Sequence, residues 1–158
     1  MGGLFITLLL VALALLLVSA GIQDARTREI ANWKNAAIAL MAPLWWWANG
    51  LALWPDVAMQ AGIAAIVFAF FIGAFALGQM GGGDVKMIGA LALWLPVQPL
   101  VWMLVLMSLI GGALTLIMVI EKKLRRGAKG DPVEIPYGVA IAIAALLVLR
   151  EPIFNQFG

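Results

Sequence analysis

The chain contains no cysteine and no histidine, and those two absences remove more chemistry than any other feature of its composition. Zinc sites are built largely from thiolate and imidazole ligands, so a metal here would have to be held by carboxylates alone. Cysteine–histidine and serine–histidine catalysis is excluded for want of the imidazole that activates the nucleophile. The only serines are Ser19 and Ser108. Both sit inside apolar runs, and neither belongs to a G-x-S-x-G nucleophile turn. Charge is scarce too: 11% of the residues are charged and the net charge is +2. Soluble domains carry about 25% charged residues, and nucleic-acid binders gather basic charge into a patch or stripe. The composition fits neither class, and no metal, no cofactor and no nucleic acid is expected.

What fills the chain instead is hydrocarbon. Hydrophobic residues make up 65% of its 158 positions, with a mean hydropathy of +1.06, which identifies an integral membrane protein. Apolar runs extend from Leu4 to Ile22, Ala36 to Trp54, Val57 to Met80, Met87 to Glu121 and Ile135 to Leu149. A helical span needs roughly 20 apolar residues; six spans consume about 120 and leave room for short loops but for no soluble domain. Residues 1–158 therefore read as a single transmembrane domain. The first run resembles a signal peptide at Val18-Ser19-Ala20, but Met1-Gly2-Gly3 carries no basic side chain and the run is long for a signal core, so it is expected to stay as a span.

The fourth run is ambiguous, because its charge-free part is long for one helix and short for two. Pro96-Val97-Gln98-Pro99 supplies a turn, since proline has no amide hydrogen and disfavours helix in the residue before it. The positive-inside rule then chooses between five spans and six. With six spans and the N-terminus outside, the cytoplasmic loops hold Arg26, Arg28, Lys34, Lys86, Lys122, Lys123, Arg125, Arg126 and Lys129, nine of the ten basic residues, leaving only Arg150 outside. Five spans divide them evenly. The expected fold is all-α, a polytopic bundle of about six transmembrane helices. Trp45, Trp46, Trp47, Trp54 and Trp94 then fall at outer helix ends, where an interfacial belt belongs. The similar words from Leu51 to Pro55 and from Leu91 to Pro96 read as shared helix-end composition, not as a repeat.

Within this topology two acids share the cytoplasmic face: Asp24 ends span one, and Asp84 opens span four after Gly81, Gly82 and Gly83. Carboxylates beside a bilayer's hydrocarbon are costly and tend to mark proton chemistry or a substrate path. Each also has a structural explanation. Asp84 can N-cap the next helix. Asp24 fits that role less well, because a carboxylate at a helix C-terminus meets the negative end of the dipole, although it can cap a short segment through Thr27. If the two approach each other they cannot both ionise easily and share a proton. The ionised partner can activate water while the protonated one polarises a carbonyl, which is aspartic-protease chemistry.

Three motifs in order carry a resemblance. Asp24 is followed by Ile30-Ala31-Asn32, then by Gly81-x-Gly83-Asp84-x-Lys86, and then by Ile135-Pro136-Tyr137-Gly138 at the start of the last span. Together they resemble the type IV prepilin peptidases, membrane aspartyl proteases of the GxGD type; the short length is most similar to the CpaA/TadV peptidases of tight-adherence (Flp) pili. The resemblance implies that Asp24 and Asp84 are the catalytic pair and that Gly81 and Gly83 shape the loop presenting Asp84. The family usually has Ile-Pro-Asn where this chain has Ile30-Ala31-Asn32, so a stiffening proline is missing. The cysteine-bearing insertion of the longer members, linked to N-methylation, is missing as well. Presenilin-type proteases share GxGD but pair it with Tyr-Asp and Pro-Ala-Leu, whereas here Gln23 precedes Asp24.

Lys86 is open to more than one reading: an anchor of the positive-inside kind, or a group that tunes Asp84 or meets a substrate carboxylate. Asn32, Pro136, Tyr137 and Gly138 are candidate loop-shaping or substrate-side residues, though Pro at a first helical turn and Tyr at an interface need no such role. The basic run from Lys122 to Lys129 reads as a loop near anionic lipid. The resulting expectation is an endopeptidase of the cytoplasmic (inner) membrane that cleaves the leader from prepilins, whose hydrophobic N-terminal segment lies against its helices. The competing reading is a small ion-coupled transporter with the two acids as a relay. A carrier places its acids near the bilayer midplane, whereas here both lie at span ends.

Overall fold

The computed structural model describes residues 2–125 and 134–155, with side chains described through 150. Its helices are α1 (Gly2–Thr27), α2 (Asn32–Ala48), α3 (Ala58–Ala76), α4 (Gly82–Ala92), α5 (Val97–Leu124) and α6 (Tyr137–Asn155). Among the described residues there is no strand. Three segments, Gly2–Thr27, Leu53–Ala76 and Val97–Leu124, are long and apolar enough to cross a membrane. They carry large side chains outward, including Leu4, Leu15, Ile66, Phe70 and Leu109, as a lipid-facing surface requires.

Chain-local signals explain most helix ends. Gly50 and Gly78 adopt φ of 67° and 71°, and each follows a helix whose last carbonyls are closed by the paired bonds of a Schellman motif. At α3 these run from Gln79 N–H to the Ala74 carbonyl and from Gly78 N–H to Phe75. Leu51 and Gly50 bond back to Trp46 and Trp47 in the same way. The ambiguous fourth run resolves into two very unequal helices. The break falls at Leu93 to Pro96, slightly ahead of the expected turn, and Pro99 sits in the first turn of α5, where an amide hydrogen has no intrahelical partner to lose.

α4 is the structural surprise, since its 11 residues rise only about 16 Å, half of a hydrocarbon layer about 30 Å thick. It packs against α2, α3 and α6, and seven of its residues, Asp84, Val85, Met87, Ile88, Ala90, Leu91 and Ala92, are buried. A helix ending inside a bundle leaves carbonyls that water cannot satisfy. Here Gln60 of α3 donates to the carbonyls of Ala92 and Leu95, and Trp46 of α2 donates to that of Leu93 at 2.8 Å.

That arrangement changes the role of two expected anchors. Trp94 is 3% exposed and its indole N–H donates to the Ile38 carbonyl at 2.8 Å, tying the α4–α5 turn to α2. Trp46 is likewise a partner of α4. Trp47 and Trp54 stay exposed. Lys34 also departs from its expected place in a solvated loop: it lies in α2, is buried, and donates to the Ser19 carbonyl of α1 at 3.1 Å. Of the basic run, Lys122 and Lys123 belong to the last turn of α5 and Arg125 pairs with Glu121 at 2.7 Å; Arg126 and Lys129 lie outside the described residues.

Candidate active site

The site forms where the ends of α1, α4 and α6 meet the loop between α1 and α2. α1 continues past its apolar stretch to Thr27, so Asp24 sits one turn inside the helix end, 4% exposed. Its Oδ2 accepts the Val139 N–H of the first turn of α6 at 3.2 Å, with the Gly138 amide as a further partner. The positive end of α6 thereby offsets the unfavourable dipole of α1, and a carboxylate at a helix N-terminus is a favoured pairing. The close approach requires glycine at position 138. A Cβ there would stand 2.8 Å from the Asp24 carboxyl carbon and from Oδ2.

Asp84 is reached differently. The N-cap of α4 is Gly81, which has extended geometry, so Asp84 is the third helical residue and not the cap expected from the glycine loop. Its carboxylate folds back toward the cap and accepts the Gly81 amide, the reach-back half of a capping box. Oδ2 lies 3.2 Å from where a Gly81 Cβ would be. Asp84 is 8% exposed, and the Coulombic field of Asp24 reaches it.

Ile30 joins the two halves. The loop turns at Arg28, with φ 58°, and the Ala31 amide donates to the Gln23 side-chain oxygen at 3.2 Å. Ile30 is thereby directed inward, 7% exposed. A Cβ on Gly83 would meet Ile30 at 3.3 Å, and one on Gly138 would meet Ile30 Cδ1 at 2.8 Å. One isoleucine thus packs against both glycine-bearing segments that present the carboxylates. Its role here comes from that wedge, and nothing in the missing proline at Ala31 prevents it.

Asn32 and Lys86 are also brought together, the Lys86 ammonium donating to Asn32 Oδ1 at 2.9 Å across the start of α2 and α4. Pro136 stands just ahead of α6, and its carbonyl shares the Val139 N–H with Asp24. Tyr137 is not part of the cluster: its ring packs on Gly111 of α5, where a Cβ would sit 3.0 Å from it, and it lines a separate cavity with Met107 and Ser108. Asn35 was not anticipated. It is 4% exposed, and its Nδ2 donates to the Gly83 carbonyl at 3.0 Å, bracing the residue before Asp84. A signal was present, since Asn32 and Asn35 are three residues apart and so share a helix face.

Among the described residues no group of three or more carboxylates gathers that could hold a metal. Two buried acids, presented by segments that share Ile30 as a packing partner and each close to backbone amides, form a centre suited to moving protons between a water and a carbonyl. The fold and site define a helical membrane protein with a carboxylate pair at a junction of helix ends. The chain belongs to the type IV leader peptidase family, whose model matches residues 10–116, and it is accordingly a peptidase. The matched region contains Asp24, Asn32, the glycine loop, Asp84 and Lys86, and ends before α6. Neither a curated protein nor a solved structure gives a match.

Proposed function

We propose that the chain is an aspartic endopeptidase of the inner membrane that removes the leader of type IV, Flp-like prepilins at the cytoplasmic face. The observation that supports this reading most is that Ile30 packs against both Gly83 and Gly138, the segments that present the buried and sequence-distant Asp84 and Asp24. In the proposed reaction the ionised carboxylate takes a proton from water as the oxygen attacks the scissile carbonyl. The protonated partner donates to the carbonyl oxygen, and the tetrahedral intermediate collapses with transfer of a proton to the departing amine. Gly138 and Gly83 allow the close packing that holds the pair.

We also infer that the N-terminus lies outside and that the loops after α1, α3 and α5 face the cytoplasm, with α4 reaching only part of the way across, a reading supported by the nine-to-one division of basic residues. Co-expression with candidate prepilins is expected to give a shortened product by mass spectrometry, with the new N-terminus at the leader junction. An unshortened precursor in the presence of correctly inserted enzyme would exclude that substrate class. Reporter fusions after Gly50 and Val97 are expected outside and after Met80 inside; a cytoplasmic signal from Val97 would break the proposed orientation.

A further inference from the structure

A cavity of about 810 Å³ opens at the far end of α4 from the carboxylates, where the end of α2 and the later part of α6 meet the α4–α5 turn. The proposed reaction makes no use of it. The tilted pair of Trp45 and Trp94, with ring centroids 5.4 Å apart, forms part of its lining. Its hydrocarbon wall continues along α5 to Leu106, about 13 Å from the start of that helix at Val97. Asn49, Gln98 and Arg150 supply the polar side chains near the helix ends. No carboxylate is among the described lining residues, and neither Gln98 nor Arg150 has a hydrogen-bond or ionic partner among the described residues.

The depth of Arg150 adds a second observation. It follows Tyr137 by 13 positions in α6, about 20 Å along a helix whose first turn touches Asp24. A hydrocarbon layer is about 30 Å thick, and the 11 residues of α4 rise only about 16 Å from the same end. Elements shorter than the layer draw its polar boundary down towards them. A guanidinium at that depth is costly without a counter-charge, and its fork of donors matches phosphate oxygens.

We infer that this cavity binds one anionic phospholipid, with its phosphate on Arg150, polar headgroup atoms against Asn49 and Gln98, and an acyl chain along the tryptophan pair and Leu106. Neutral hydrocarbon would leave Arg150 uncompensated. A small inorganic anion would leave the apolar wall uncovered. A zwitterionic headgroup brings its own cation, for which the lining has no carboxylate. Trp46 and Gln60 line the same cavity while they bond the carbonyls at the end of α4, so the lipid consolidates the short helix and its binding is read as stability.

The test uses the full chain in an uncharged detergent, titrated with phosphatidylglycerol or with phosphatidylcholine of the same acyl chains. Phosphatidylglycerol at about ten times its Kd is expected to raise the unfolding temperature by about 3–5 °C, and phosphatidylcholine by about 1 °C or less. Arg150→Gln is expected to weaken phosphatidylglycerol binding about tenfold or more, the scale of a lost charge-assisted bond. Arg125→Gln, at the other end of α5 and paired with Glu121, is expected to leave the temperature shift as it is. Equal shifts from the two lipids, or a shift that survives Arg150→Gln, overturn the site. An equal rise with glycerol phosphate, which has the anion and no acyl chain, overturns the lipid in favour of a small-anion site. Native mass spectrometry gives a readout independent of how stable the variant is. From an equimolar mixture the unaltered chain is expected to retain phosphatidylglycerol in preference, and Arg150→Gln to retain both lipids alike; equal retention by the unaltered chain overturns the proposal.

Discussion

The two ends of α4 are both polar, both enclosed by neighbouring helices, and opposite in what they leave unbonded. At the C-terminal end the carbonyls of Ala92, Leu93 and Leu95 are taken up by Gln60 and Trp46. At the N-terminal end Asn35 closes the Gly83 carbonyl but keeps its own oxygen unpaired. Asp24 and Asp84 accept from backbone amides there, with the Arg28 charge also acting on Asp24, and a carboxylate can accept about four bonds. Saturated polar groups hold the short helix in place; acceptors with capacity to spare are what a reaction can use. The same helix therefore has an architectural end and, on the proposed mechanism, a chemical end, and substitutions at the two should separate stability from turnover.

The largest effect is expected at the carboxylates. Asp24→Asn and Asp84→Asn each keep the side-chain shape, and each is expected to lower precursor cleavage by about 10³-fold or more while the protein still accumulates in the membrane. The double variant should be little worse than either single one, because members of one catalytic unit are not additive. Near wild-type cleavage by either single variant would place that acid on the architectural side of the comparison.

Gly138→Val tests whether geometry at the chemical end matters as much as charge. Its Cβ would stand 2.8 Å from the Asp24 carboxyl group, and displacing a catalytic group by about 1 Å costs about 100-fold in rate. Gly112→Ala, where nothing lies within 4 Å, serves as the control. Equal kcat for the two variants would show that Asp24 tolerates displacement.

At the architectural end, Gln60→Leu removes the donor from the carbonyls of Ala92 and Leu95. The expected cost is about 1–3 kcal/mol of stability, read as a lower unfolding temperature in detergent, with kcat unchanged for the protein that remains folded. A fall in kcat without loss of stability would join the two ends into one functional unit. The smallest effect is expected for Lys86→Ala. Its bond to Asn32 is exposed, and exposed polar contacts contribute about 0–1 kcal/mol, so cleavage should change by less than about fivefold. A much larger loss would move Lys86 from a brace between α2 and α4 into the reaction itself.

Several particulars were legible without coordinates. The acids, the glycine loop and the helix-stopping residues are local or compositional signals, and they led to the membrane class and the family. The break in the fourth run was visible through Pro96, though its place was not, because Pro99 is compatible with a first helical turn. Trp94 and Lys34 were misplaced for a common reason. Topology rules treat aromatic and basic residues as interfacial, and neither rule sees a carbonyl on another helix, such as that of Ile38 or Ser19, waiting for a donor.

The sequence by itself determined that this chain lives among lipids and that imidazole and thiol chemistry are closed to it, since both follow from which side chains exist. Only the tertiary structure decided which helix end would face which acid. Helices that are apolar on every side contain little periodic information about their partners, so the choice falls to sparse contacts: Gly138 against Asp24, Ile30 between two glycine segments, Asn35 on Gly83 and Gln60 on the end of α4. Each joins residues from separate helices or loops, and their spacing along the chain does not encode their meeting in space.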